Sequence, residues 1–183
     1  TGGFHLTTVG RVQTPTLAIL DAGDFSVLKV IAVKGDKDAA SRVSAVYDAE
    51  PRRSFIVALR DIPEIWEISY ADNPRPVPVG LIHNHEQGLT EGAFDRGPFP
   101  VRRIRLEESI DDFFFDPSYA NLIGAARDGG RGQVVNLNVG RKIAEVALPG
   151  MPHLGSGITF EYEGRLVLAT PHLKEGAVSI VDM

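Results

Sequence analysis

Residues Arg165–Asp182 read RLVLATPHLKEGAVSIVD: an apolar segment, a polar turn, and a second apolar segment that ends in aspartate. The same order recurs earlier in the chain, at Gly3–Asp21 (GFHLTTVGRVQTPTLAILD), Phe55–Tyr70 (FIVALRDIPEIWEISY) and Asn121–Asn138 (NLIGAARDGGRGQVVNLN). The units end at Asp21, Tyr70, Asn138 and Asp182, at intervals of 49, 68 and 44 residues. A strand pair that repeats in this way is typical of a β-propeller, whose blades recur at about 40–50 residues.

The longest interval predicts one blade that carries an insertion. We expect the insertion at His83–Pro100 (HNHEQGLTEGAFDRGPFP), which is dense in Gly and Pro and has no strand pattern. Elsewhere, short apolar segments alternate with turn residues, and none sustains helical periodicity. A β-sandwich also uses many short antiparallel strands. Because a sandwich need not repeat, the repeat favours the propeller.

The chain begins and ends inside predicted blades. We therefore expect its 183 residues to form one partial propeller domain, all-β, an open arc of about four blades from a larger ring. The exposed edge strands of such an arc favour self-association.

Composition excludes several classes of function. The net charge of −5 gives no basic field for nucleic acid. The absence of cysteine excludes disulfides and a c-type haem attachment motif within this chain. No apolar run reaches the ~18 residues that a membrane span needs, and no signal peptide is visible.

Histidines offer the clearest candidate sites. His153 lies in Pro149–Gly157 (PGMPHLGSG), a loop in which Gly155 and Gly157 permit movement or close approach to a flat ligand. A loop histidine on the ligand-binding face of a propeller can bind iron or transfer a proton. Spacing alone favours an exposed histidine without a role. His172, in Ala169-Thr170-Pro171-His172, is by itself a turn residue.

Two further groups are weaker candidates. In an extended segment, His83 and His85 would point to the same side and could bind a metal, although two histidines in a polar insertion are common without one. Asp111 and Asp112 could act as acid and base, or could cap a strand. Trp66 and Phe113–Phe115 are most simply core residues.

Four segments carry a resemblance to a known family: Phe55–Tyr70, Gln133–Leu148 (QVVNLNVGRKIAEVAL), Pro149–Phe160 (PGMPHLGSGITF) and Leu168–Met183 (LATPHLKEGAVSIVDM). They resemble the haem d1-binding propeller of the cytochrome cd1 nitrite reductase family. The resemblance covers essentially the whole chain and is closest to the biosynthetic branch, the dihydro-haem d1 dehydrogenases. It implies the middle of an eight-bladed propeller, preceded in the parent protein by a cytochrome c domain.

The resemblance also implies a function, in denitrifying metabolism. The parent protein would oxidise a propionate of dihydro-haem d1 to an acrylate, and this chain alone would be inactive. The ligand is haem d1 or dihydro-haem d1, with haem c in the preceding domain. The partners would be an electron-transfer cytochrome or the nitrite reductase, and the location would be the periplasm.

The implied site residues are few. His153 matches the loop histidine on the distal side of the d1 iron and would be its ligand, while Gly155 gives that loop its freedom. His172 falls where the reductase also has a histidine. The Arg11 guanidinium would pair with a tetrapyrrole carboxylate, although it can equally be a surface arginine. These four are the cofactor-binding candidates, and no catalytic residue is assigned.

Two alternatives stay open. One is a cd1-type nitrite reductase, against which Asp111 counts because it stands where the reductase has a second distal histidine. The other is a propeller that holds a tetrapyrrole or another protein without catalysis.

Overall fold

A computed structural model describes residues 6–7, 15–35, 38–84, 89–126, 130–148 and 152–183. Over these ranges the chain consists mainly of β-strands, and none of their helical turns is long or apolar enough to cross a membrane. The strands are β1 (Leu6–Thr7), β2 (Thr16–Leu20), β3 (Val27–Ala32), β4 (Val43–Ala49), β5 (Ser54–Leu59), β6 (Glu64–Ser69), β7 (Val77–Asn84), β8 (Leu89–Asp95), β9 (Val101–Arg105), β10 (Asp112–Phe115), β11 (Asn121–Ala125), β12 (Gly130–Asn136), β13 (Arg141–Leu148), β14 (Ile158–Tyr162), β15 (Arg165–Pro171) and β16 (Val178–Asp182).

Four sheets follow one another along the chain, each with its strands in sequence order. They are β1-β2-β3, β4-β5-β6-β9, β10-β11-β12-β13 and β14-β15-β16, here called blades 1 to 4. The repeated units of the sequence are the antiparallel pairs β1–β2, β5–β6, β11–β12 and β15–β16. The predicted all-β arc of about four propeller blades is confirmed.

The hydrophobic core lies between the blades. Three buried clusters include Leu17, Ile19, Phe55 and Trp66 between blades 1 and 2, Ile56, Ile65, Phe113 and Leu122 between blades 2 and 3, and Ile123, Leu148, Leu154 and Leu168 between blades 3 and 4. Alternate side chains of β5 point to opposite neighbours, so that all six of its residues are buried. A strand buried on both faces reads as a continuous apolar run, as Phe55–Leu59 does.

An insertion interrupts blade 2, but it differs from the prediction. It is an antiparallel hairpin of β7 and β8, placed between β6 and β9, and it begins at Val77 rather than His83. The prediction that this segment has no strands is wrong. The hairpin pairs with itself and leaves Val79 and Phe94 exposed, by 62% and 47%. In the sequence, its strands show no clear apolar alternation.

A polar cluster joins blades 2 and 3 at the turn after β4. Glu67 accepts hydrogen bonds from Arg52 at 2.9 Å and from Arg102 at 3.1 Å. Arg52 also donates to Asn138 of blade 3, and Arg102 donates to the carbonyls of Leu137 and Asn138. The carboxylate therefore holds two guanidinium groups in place to bind the neighbouring blade.

Candidate functional site

The candidate site lies where the first strands of blades 2 and 3 meet the loop that leads to blade 4. Ser44 of β4 donates a hydrogen bond of 2.7 Å to the carbonyl of Ile110, just before β10. The amide of Gly155, in the loop before β14, donates to Asp112 at 2.8 Å. Consecutive blades are thus tied together at this place by hydrogen bonds in or just before their first strands.

His153 lies in that loop, directly before a short 3-10 turn, Leu154–Ser156. Its amide donates to the carbonyl of Pro171 at 2.8 Å, and the next side chain, Leu154, is fully buried. The imidazole is 44% exposed, and its Nδ1 lies 3.7 Å from Oδ2 of Asp112. The backbone on both sides of His153 is therefore anchored, while the ring stands at the surface beside a carboxylate.

Asp112 is the carboxylate that the fold brings to His153. Its Oδ1 accepts a hydrogen bond of 2.7 Å from the Tyr47 hydroxyl, and its Oδ2 accepts the Gly155 amide. Burial, and then the hydrogen bond to this carboxylate, raise the pKa of Tyr47 above its usual value, which keeps the phenol a donor. Asp111 is the other member of the predicted acid–base pair. Its backbone amide donates a hydrogen bond to the Ala125 carbonyl.

Tyr47 is a site residue that sequence reasoning did not identify. It is 65 positions from Asp112, and its ring is held by an edge-on contact with Phe113, with centroids 4.8 Å apart. A tyrosine in an apolar strand segment is most simply a core residue. Only the pairing of two separate blades shows that its hydroxyl reaches the carboxylate.

Gly155 permits close approach, as predicted, but the groups that approach it belong to the protein and not to a ligand. A Cβ at this position would lie 2.0 Å from the Tyr47 hydroxyl oxygen and 2.8 Å from Oδ1 of Asp112. Any larger residue would push the loop away from these groups. Contact between Gly155 and a tetrapyrrole stays a prediction.

His172 supports the same loop from behind. It forms a bridge with Pro152, and its amide binds the Ala177 carbonyl across the β15–β16 turn. The residue is 5% exposed; Nε2 lies 2.7 Å from the Ser179 hydroxyl, and the buried Nδ1 has no hydrogen-bond partner among the described residues. His172 does lie at a turn, but as a buried residue, and its contact with a cofactor stays a prediction.

A cavity of about 190 Å³ opens beside the site. It is lined by Tyr47, Asp48, Phe113, Phe114, Phe115 and Gly155. Binding pockets for small molecules commonly have volumes of about 300–1,000 Å³. Because this cavity is smaller, its aromatic walls can contact one edge of a flat ligand but cannot enclose a whole macrocycle. A second cavity, of about 450 Å³, lies by the Arg52–Glu67–Arg102 cluster and contains none of the predicted site residues.

Some predicted residues cannot be placed. Arg11 and His85 lie outside the described residues, as does the side chain of His83. Within the described ranges, no group of three or more His, Asp or Glu side chains could hold a metal ion.

Comparison with known proteins confirms the resemblance. The Cytochrome D1 heme domain family matches residues 4–183. Dihydro-heme d1 dehydrogenase of Pseudomonas aeruginosa is 39% identical over 175 residues, which are 96% of this chain and 31% of that protein. The structure of dihydro-heme d1 dehydrogenase NirN in complex with DHE superposes with a TM-score of 0.77 and 37% identity, over 98% of this chain and 33% of that one.

The chain thus spans about a third of the length of these relatives. A β-propeller domain of Myceliophteria thermophila Cps50 (Swd1) shares the fold, with a TM-score of 0.62 at 15% identity. Fold, sequence and coverage agree, and this chain belongs to the Cytochrome D1 heme domain family.

Proposed function

We propose that this chain is part of a haem d1 biosynthesis protein that dehydrogenates dihydro-haem d1. The observation that carries the proposal is the position of His153, a half-exposed imidazole beside Asp112 at the junction of three blades. An identity of 39% to a dihydro-heme d1 dehydrogenase supports the substrate class.

The residues present fit a tetrapyrrole ligand. The exposed His153 ring can bind iron, as neutral imidazoles do. The aromatic side chains that line the neighbouring cavity can contact one edge of a macrocycle. The role of His153 is to bind and orient the substrate, and the loop that carries it determines where the imidazole stands.

The proposed reaction converts a propionate side chain into an acrylate. The CH₂–CH₂ unit loses two hydrogens, as two electrons and two protons, and becomes CH=CH. A c-type haem, which the resemblance implies for another domain of the parent protein, would supply the acceptor for these electrons. Nitrite reduction is the competing activity. The resemblance puts Asp111 where that chemistry would use a second distal histidine, and this counts against nitrite reduction.

The test uses the full-length protein and dihydro-haem d1. Titration followed by absorption gives the affinity, and mass spectrometry after turnover detects the loss of two hydrogens. We expect His153→Ala to weaken binding at least tenfold and to change the spectrum. Lys174→Ala, an exposed change on a nearby turn, should match the wild type. Binding without dehydrogenation by the wild type would indicate a carrier, and nitric oxide formation from nitrite would indicate the reductase; either result contradicts the proposal.

A further inference from the structure

Asp112 joins three parts of the chain in one hydrogen-bonded unit. Its two carboxylate oxygens accept the Tyr47 hydroxyl of blade 2 at 2.7 Å and the Gly155 amide of the loop before blade 4 at 2.8 Å, while Asp112 itself belongs to blade 3. We propose that Tyr47 and Asp112 are positioning residues that hold the His153 loop in place for ligand binding. The part of this inference that concerns the ligand rests on the proposed function.

The hydrogen bonds are of a kind that can hold a loop. The Asp112 side chain is only 14% exposed, and hydrogen bonds to a carboxylate are about twice as strong as those between neutral groups. The Tyr47 ring contacts Phe113 edge-on, and its hydroxyl donates to the carboxylate that also binds the loop. Gly155 supplies an amide with no side chain in the way.

The unit also lies beside the His153 ring. Nδ1 lies 3.7 Å from the same Oδ2 that accepts the Gly155 amide, which is beyond hydrogen-bond distance. The Nδ1 edge of the imidazole therefore faces Asp112, and Nε2 is on the opposite side of the ring. A carboxylate next to one ring nitrogen commonly orients a histidine that binds metal through the other.

The alternative is a purely structural role, in which Tyr47 and Asp112 only join blades 2 and 3. The chain provides a comparison in Tyr70, which donates to Asp48 at 2.8 Å within blade 2. Asp48 lines the cavity beside Gly155, but the Gly155 amide is bound by Asp112. If the tyrosine hydroxyls served stability alone, removing either would have similar effects. Loop position should depend on Tyr47 and not on Tyr70.

The experiment compares Tyr47→Phe, Asp112→Asn and Tyr70→Phe in the full-length protein. Without ligand, amide hydrogen exchange is followed in the segment that contains Gly155. We expect exchange to be at least about five times faster in Tyr47→Phe and Asp112→Asn, which corresponds to the free energy of one hydrogen bond. Exchange in Tyr70→Phe should not change. Unchanged exchange in Tyr47→Phe overturns the inference, even if Asp112→Asn fails to fold.

The second measurement is binding of dihydro-haem d1. Tyr47→Phe should lower the affinity about fivefold and alter the absorption spectrum, while its thermal midpoint stays close to that of Tyr70→Phe. Faster exchange with an unaltered spectrum and affinity overturns the positioning role. A failure of the proposed function is distinguishable, because the wild type would then bind dihydro-haem d1 without dehydrogenating it or would form nitric oxide from nitrite, whereas the exchange experiment needs no ligand.

Discussion

Arg52 Nη1 lies 2.8 Å from Oδ1 of Asn138, and this hydrogen bond joins blade 2 to blade 3 at the turn after β4. The guanidinium is held by Glu67, whose side chain is 11% exposed and also binds Arg102. Two cations and one anion are thus partly withdrawn from water at a blade boundary. Such groups destabilise a protein when one partner is removed, because the remaining charges stay desolvated.

Glu67→Gln should lower the stability of the propeller by about 2 kcal/mol, because both arginines lose a charged acceptor. Urea unfolding, followed by the fluorescence of Trp66, measures the change. Glu108→Gln is the control, since its ion pair with Arg131 is 50% and 62% exposed and should contribute less than about 0.5 kcal/mol. Equal effects of the two variants would show that the blade junction does not depend on the Glu67 carboxylate.

Gly155→Ala should displace the loop before β14. The new Cβ would overlap the Tyr47 hydroxyl at 2.0 Å, so either the loop or the ring must move, at a cost of about 1–3 kcal/mol. Thermal unfolding and hydrogen exchange of the loop measure the effect. Gly97→Ala is the matched control. Its Cβ would have one neighbour within 4 Å, an oxygen of the flexible Asp95 side chain at 3.3 Å. Normal exchange in Gly155→Ala would contradict the described packing.

Asp61 should contribute to stability in a pH-dependent way. The Arg42 guanidinium, followed by the Arg42 amide, lowers the pKa of Asp61 to about 2 from 3.8. Because the folded-state pKa is the lower one, the stabilisation is present above about pH 4 and is lost as the pH falls towards 2. It should stay below about 1 kcal/mol, since the pair is exposed.

Asp61→Asn should therefore unfold more easily than the wild type at pH 6, and the two should converge near pH 2. Unfolding midpoints measured from pH 6 to pH 2 test this expectation. A constant difference across the range would mean that the carboxylate does not act through its ionisation.

The sequence predicts the fold well because each blade repeats the same strand pair. Phe55–Tyr70 and Asn121–Asn138 are both adjacent antiparallel strands, as their shared pattern indicates. The β7–β8 hairpin escapes prediction because its exposed apolar residues, such as Val79 and Phe94, do not follow the buried pattern of the blade strands. Its glycines and Pro78 are typical of loops, and the backbone pairing that defines its strands does not determine the order of apolar side chains.

The candidate site is predictable only in part. The glycine-rich loop singles out His153, and Asp112 stands out as half of an acidic pair. The choice of Asp112 over Asp111 depends on which side of β10 faces the next loop, and this is set by the packing of three blades. Tyr47 carries no local signal, since its partner comes from another sheet.

The placement of the core between blades has a consequence for synthesis on the ribosome. A newly made blade has one neighbour at most, so it buries only one face until the next blade has emerged. Stable structure should therefore accumulate in steps, one blade behind the growing chain. The interval from Tyr70 to Asn138, which contains the hairpin, is the longest of the three, at 68 residues. The apolar surface of blade 2 that faces blade 3 therefore stays exposed for the longest time during synthesis. In the nascent chain, this surface is where a chaperone would have the most time to bind.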